Sequence, residues 1–275
     1  MARPESRWQE IQAGRPSGGG NRVLVRRHDG EVALLKLYRR RGSWLREAIK
    51  ALASPRLEAR RGVRAAERCA LEREALGLWR AHGFDVPALL DLPLPEGCDA
   101  RRALWLEFVE GELLSAHLAD PARSLAEKGA LVERLGREDG ARHRAAVRDG
   151  AHLLVQEHAS VKHVIVAGER LVHFDLETAF HRRLPIVDAL ARELSSTLRS
   201  LHRFGGADFD ALAGRYVAAH PEPALLREAA QRGVHAAGLG SRLRRRSDRG
   251  RRAAGSTKTD MLRWLLDAPL AGGPS

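Results

Sequence analysis

Residues 164–177 read VIVAGERLVHFDLE. Two short apolar runs, Val164–Val166 and Leu171–Phe174, flank Ala167-Gly168-Glu169-Arg170. That pattern predicts a β-hairpin with a compact turn. The second strand runs directly into Asp175-Leu176-Glu177, so the hairpin delivers a carboxylate at its exit. Asp175 is a candidate site residue on this placement alone. The alternative role for Asp175 is that of a loop residue capping the segment after it.

Upstream, the chain opens with strand signals. Trp8–Ile11 reads as a short strand, followed by Gly14-Arg15-Pro16-Ser17-Gly18-Gly19-Gly20, too glycine-rich for a helix and suited to a flexible turn. Asn21–Arg27 alternates apolar and polar residues, and His28-Asp29-Gly30-Glu31 supplies hairpin chemistry. Val32–Tyr38 (VALLKLY) is the next strand, and it carries Lys36 among aliphatic residues. A cation there is costly unless it is paired, or unless alternation turns it to the wet face. Residues 44–82 read as helices broken at Ser54-Pro55. In the second helix Leu71, Ala75, Leu78 and Trp79 share one face, and Gly83 ends it. Both Glu72 and Glu74 are candidates for the partner of Lys36. Each has the ordinary alternative of an exposed helical pair with Arg68 or Arg80.

Further strands are expected at Val86–Leu90 and Ala103–Val109, the latter closed by Glu110-Gly111. Helix is expected from about Leu113 and through most of the stretch to residue 156. Ile186–Arg203 and Phe209–Gly233 read as helices, and beyond Gly238 the composition shifts to Arg, Ser and Gly. Such a segment buries too little apolar surface to order itself. Within it, Asp260–Leu266 has the pattern of one or two amphipathic turns. The reading divides the chain into residues 1–106, residues 107–237 and a basic tail, 238–275.

The order of these features resembles the protein-kinase-like superfamily: glycine-rich turn, hairpin, strand with an embedded Lys, helix with a Glu, buried strand, helices, then a hairpin presenting Asp. The resemblance covers roughly residues 20–205 and implies a bilobal α+β fold, with a small β-rich lobe and a mostly helical one. It implies ATP and Mg²⁺ as cofactors. Gly18, Gly19 and Gly20 would cover the phosphates, Lys36 would hold them with Glu72 as its partner, and the backbone of Glu107 and Val109 would meet the adenine. Glu72 stands eleven residues before Gly83 and fourteen before Val86-Pro87, a spacing similar to that of sugar and aminoglycoside kinases. Asp175 would carry the metal.

The loop before the hairpin departs from the family pattern. Counting back from Asp175, the position of the usual Asn holds His163 and that of the usual catalytic Asp holds His158. No Asp lies between Gly150 and Phe174. A His at the Asn position is similar to the lipopolysaccharide core kinases, which phosphorylate heptose or Kdo sugars. The basic stretch after Lys36 and the helix Ala189–Leu201, with Glu193 where that family has Asp, resemble them too. On this reading His163 joins Asp175 at the metal, and His158 or Lys162 assists transfer.

Composition bounds the rest. The net charge of +12 is concentrated: residues 39–68 carry ten Lys/Arg against three Glu, and residues 242–252 seven Arg against Asp248. Basic patches suit an anionic partner such as a phosphorylated glycolipid or a membrane surface. A nucleic-acid partner is disfavoured, because no binding module is recognisable and aromatics are only 5% of the chain. Cys69 and Cys98 cannot form a disulfide framework. The opening MARPESRWQE lacks the apolar run of a secretory leader, and no stretch is long enough for a membrane span. The expected setting is cytoplasmic, with peripheral contact at the inner membrane. Two functional classes follow: a phosphotransferase acting on a sugar hydroxyl of lipopolysaccharide core, or a pseudokinase scaffold that binds nucleotide without catalysis.

Overall fold

The computed structural model describes residues 8–12, 21–28, 31–40, 60–235 and 257–268. Strands β1 (Trp8–Gln12), β2 (Arg22–His28) and β3 (Glu31–Leu37) form an antiparallel sheet, followed in sequence by the short β4 (Arg60–Arg61). Helix α1 spans Ala65–Ala81, and β5 (Ala103–Glu107) completes the first sheet in the order β1-β2-β3-β5. Alternation along β3 separates two faces. Ala33 and Leu35 pack with Ala103 and Trp105 in a satellite cluster, while Tyr38 joins the main core beside α1. Helix α1 buries Leu71, Ala75 and Trp79 along the expected stripe.

The second lobe is mostly helical. It begins with β6 (Glu112–Leu113), α2 (Leu114–Ala119) and α3 (Leu125–Asp149). Ser124 and Glu127 close a capping box at the start of α3, and Gly150, at φ 62°, ends it. Strands β7 (Val164–Ala167) and β8 (Arg170–His173) form the expected hairpin, with β6 alongside in a three-stranded sheet. Strand β9 (Ala179–Phe180) pairs with β4, tying the segment after Asp175 to the start of α1. Helices α4 (Ile186–Gly205), α5 (Phe209–Ala219), α6 (Pro223–His235) and α7 (Lys258–Asp267) complete the described residues. The α+β architecture expected from the order of motifs, a small sheet-rich part followed by a mostly helical one, is therefore present. No helix among the described residues is long and apolar enough to cross a membrane.

Several local expectations are corrected. Val86–Leu90 is extended but not a strand: Leu90 N donates to Trp105 O at 3.0 Å, Glu107 N donates to Ala88 O at 2.8 Å, and only the isolated bridge Leu89–Leu106 forms. Pro87 has no N–H to give a ladder. The helical stretch before residue 156 stops at Gly150, and Phe209–Gly233 is two helices, broken where Pro221 follows His220. The tail assignment is corrected for residues 257–268. A second capping box, Thr257 with Asp260, starts α7, and Met261, Leu262 and Leu265 are buried in the main core. A Cβ at Gly233 would lie 2.4 Å from Leu262 Cδ1, so α6 and α7 are in close contact there and a larger residue would require the Leu262 side chain to shift. The expectation failed because composition reports the whole segment, whereas burial of three apolar side chains at helical spacing orders only part of it. The helix expected before Ser54-Pro55, the Arg242–Arg252 run and Gly18, Gly19 and Gly20 lie outside the described residues.

Candidate functional site

Lys36 stands next to the end of β3, between Val23 of β2 and Leu104 of β5. Its side chain is almost wholly buried, and three carboxylates gather on it. Nζ lies 2.6 Å from Glu72 Oε2, 2.7 Å from Asp175 Oδ1 and 3.4 Å from Glu177 Oε2. Burial opposes the charge on Lys36, and Asp175, Glu72 and Glu177 outweigh it, holding the ammonium charged well above the ordinary lysine range. The choice between the two glutamates is resolved: Glu72 faces inward and accepts from Tyr38 Oη at 2.5 Å, whereas Glu74 is exposed.

Asp175 has a positive φ of 64°, and no other described residue except glycine does. Asp tolerates the left-handed region better than most residues because its short side chain can bond locally, but the conformation still costs energy and marks a position fixed by its surroundings. Those surroundings are the β8 strand on one side and the β9–β4 pair on the other.

Glu177 is the residue that sequence reasoning left without a role. It is buried, accepts a hydrogen bond from Asn21 Nδ2, and lies 3.7 Å from Arg68 Nη1 as well as beside Lys36. It thus joins the start of β2, helix α1 and the Asp175 segment. The available signal was a second carboxylate two residues after Asp175 in an otherwise apolar run. Gly62 makes room for the arrangement: at φ +87° a Cβ there would come within 2.6 Å of Glu177 O. Ligand atoms of Glu72, Asp175 and Glu177 lie within 4.8 Å of one another, a donor set suited to a hard cation. Of the three, Glu72 and Glu177 are enclosed around Lys36, and Asp175 is the one that opens on a cavity.

That cavity, about 390 Å³, is lined by His158, Lys162, His163 and Asp175 on one side and by α4 on the other. His163 Nε2 lies 3.5 Å from Asp175 Oδ2, while its Nδ1 meets His158 O at 3.0 Å. Burial lowers the pKa of His163, which favours the neutral ring of a metal ligand. His158 is half-exposed, with Nε2 2.9 Å from the buried Glu157 carboxylate. Lys162 is exposed at the rim.

The loop carrying these residues is fixed from behind. Arg142 donates to Leu154 O and sits 2.5 Å from Glu193 Oε1 and 2.6 Å from Asp139 Oδ1. Glu193 Oε2 in turn accepts from Gln156 N at 3.1 Å. The guanidinium also lies over the Trp79 ring, 4.6 Å from its centroid, so α1, α3, α4 and the loop share one buried cation. Glu193, singled out in the sequence as a family substitution, is thus buried behind the loop and outside the cavity lining.

Glu107 ends β5, and its side chain accepts from Ala88 N at 2.9 Å. Val109 is half-buried in the link from β5 to β6. Neither touches the Lys36 cluster, and both stand at the join between the lobes.

Solved structures with a similar fold include "WaaP in complex with acyl carrier protein", at 16% identity over 82% of this chain and 88% of that one, with a TM-score of 0.44. A putative aminoglycoside phosphotransferase from Ralstonia eutropha JMP134 is 13% identical over 98% and 94%, with a TM-score of 0.43. The GDP and kanamycin complex of APH(2")-IIia is 11% identical over 95% and 92%, with a TM-score of 0.45. No protein-family model and no curated protein matches the chain.

Proposed function

We propose that this chain transfers the terminal phosphoryl group of ATP to a sugar hydroxyl, with a sugar of lipopolysaccharide core as the acceptor. The observation that carries the reading is the Lys36 cluster. A buried ammonium, held by Glu72 and Glu177 and reaching the one carboxylate that borders a cavity, is built to meet phosphate oxygens. In the reaction the acceptor oxygen bonds to the γ-phosphorus, the bond to the β–γ bridging oxygen breaks, and ADP leaves. The hydroxyl proton needs a destination. His158, whose Nε2 lies 2.9 Å from the Glu157 carboxylate, would take it on Nδ1. Lys162, at the same rim, would balance charge on the transferred group. Asp175, with His163 beside it, would hold Mg²⁺, which when bound neutralises phosphate oxygens, and the Asp175 carboxylate is the oxygen ligand that fits that ion. The backbone of Glu107 and Val109 would meet the adenine. An ATP donor implies a cytoplasmic setting.

A second reading, nucleotide binding without catalysis, is favoured by one observation: His158 occupies the base position and is already engaged by Glu157. The test is incubation of the full chain with Mg²⁺, γ-labelled ATP and deep-rough lipopolysaccharide. Label transfer that disappears in Asp175→Ala supports the enzyme. Nucleotide binding with no transfer establishes the scaffold, and absence of any nucleotide binding overturns both.

A further inference from the structure

The cavity beside Asp175 has a wall that the phosphoryl-transfer chemistry does not use. On α4, Ser196, Arg199, Ser200 and Arg203 recur at intervals of three and four, the spacing of one helical stripe, and all four line the cavity. Helix α7 adds Lys258, whose Nζ donates to Ser196 Oγ at 2.5 Å. The floor is fixed: Ser160 Oγ and Ser200 Oγ are 2.8 Å apart, and Val161 N donates to Ser200 Oγ at 3.0 Å. Arg203 lies over the Phe204 ring, 5.3 Å from its centroid, which holds the guanidinium along the wall.

The charge balance of the lining is one-sided. Among the described lining residues, Lys162, Arg199 and Arg203 face a single carboxylate, Asp175, and that carboxylate is already 2.7 Å from the Lys36 ammonium. A neutral sugar offers nothing to offset three cations gathered around one recess, and a polycationic acceptor would be repelled. An oxyanion group satisfies them, and guanidinium groups present paired donors to phosphate or carboxylate.

We propose that this cavity is the acceptor subsite and that it selects an acceptor carrying a phosphate or carboxylate group, bound by Arg199 and Arg203 while the reacting hydroxyl faces His158. The term acceptor rests on the phosphotransferase reading; the anion selectivity rests on the cavity alone.

The experiment is calorimetric titration of the full chain with glucose 6-phosphate, glucuronate, glucose and kanamycin, with binding of Mg²⁺ and a non-hydrolysable ATP analogue measured separately. The expected result is saturable binding of glucose 6-phosphate or glucuronate and none of glucose or kanamycin. The stronger of the two anions identifies whether phosphate or carboxylate is preferred. Arg199→Gln with Arg203→Gln should weaken that binding by about ten-fold or more, as loss of charge-assisted hydrogen bonds does, and leave the nucleotide affinity as it was. The proposal is overturned by equal binding of glucose, by no binding of either anion in the millimolar range, or by a double variant that loses nucleotide affinity in place of sugar affinity. Nucleotide binding that fails while the anionic sugars still bind would sink the phosphotransferase reading and leave the anion site standing.

Discussion

Lys36 Nζ and Asp175 Oδ1 lie 2.7 Å apart although 139 positions of chain separate them. The contact joins the C-terminal end of a strand in the first sheet to the exit of a hairpin in the mostly helical part. Glu72 and Glu177 complete it from α1 and from the segment after the hairpin. The pairing is therefore both the candidate phosphate site and a tie between the two lobes.

Replacing Lys36 by Met should destabilise the protein by about 3–5 kcal/mol, because it strands carboxylates that were buried against a cation. Adding Glu72→Gln should recover part of the loss, with a coupling of about 0.5–3 kcal/mol. Denaturant unfolding of the two single variants and the double measures this directly. Strict additivity would mean that Lys36 and Glu72 do not interact in solution.

His158→Ala should lower transfer by about 10²–10⁴, the usual contribution of a positioned base, with nucleotide affinity nearly unchanged. His158→Asp restores the carboxylate that kinases use here and should retain or raise turnover. Label-transfer assays decide the matter: an inactive wild type and an inactive His158→Asp together would replace the enzyme with the scaffold.

Deleting residues 257–275 should lower thermal stability markedly, since Met261, Leu262 and Leu265 pack into the main core. Each such burial is worth about 1.5–3 kcal/mol. Leu265→Ala alone should cost about 2–5 kcal/mol. A melting temperature that survives the deletion would show that α7 is not part of the core.

Stability should also fall on acidification for a reason that can be located. Burial holds His220 neutral, its pKa pushed down to about 3 with the help of neighbouring His143, and burial pushes His173 down to about 4. Unfolded histidine titrates near 6.5. Below that value the unfolded chain takes up protons that the native state refuses, so stability is full above about pH 6.5 and drains as pH falls toward 4. His220→Gln should reduce the slope of unfolding free energy against pH in this window by about one proton, ~1.4 kcal/mol per pH unit. An unchanged slope would show that His220 is protonated in the native protein.

The sequence alone determined the order of the elements, because each signal is local. Glycine and the Asp-Gly turn punctuate strands, period-two alternation marks β2 and β3, and period-four spacing marks the buried face of α1. The same locality named Lys36 and Asp175, since a charge inside an apolar strand and a carboxylate at a hairpin exit stand out against their neighbours. Tertiary structure alone decided what those charges face. Glu72 and Glu74 have the same chemistry and differ only in which side of α1 meets β3. Glu177 acquires its role from Arg68, Asn21 and Lys36, which reach it from three other segments. The amphipathic turns read over Asp260–Leu266 are ordered as α7 because their apolar residues gain their energy against α4 and α6, and the arginines of α4 line a cavity only because the loop before the hairpin faces that helix. Short-range preferences are written in neighbouring residues, whereas burial and ion pairing depend on distances that only the folded chain sets.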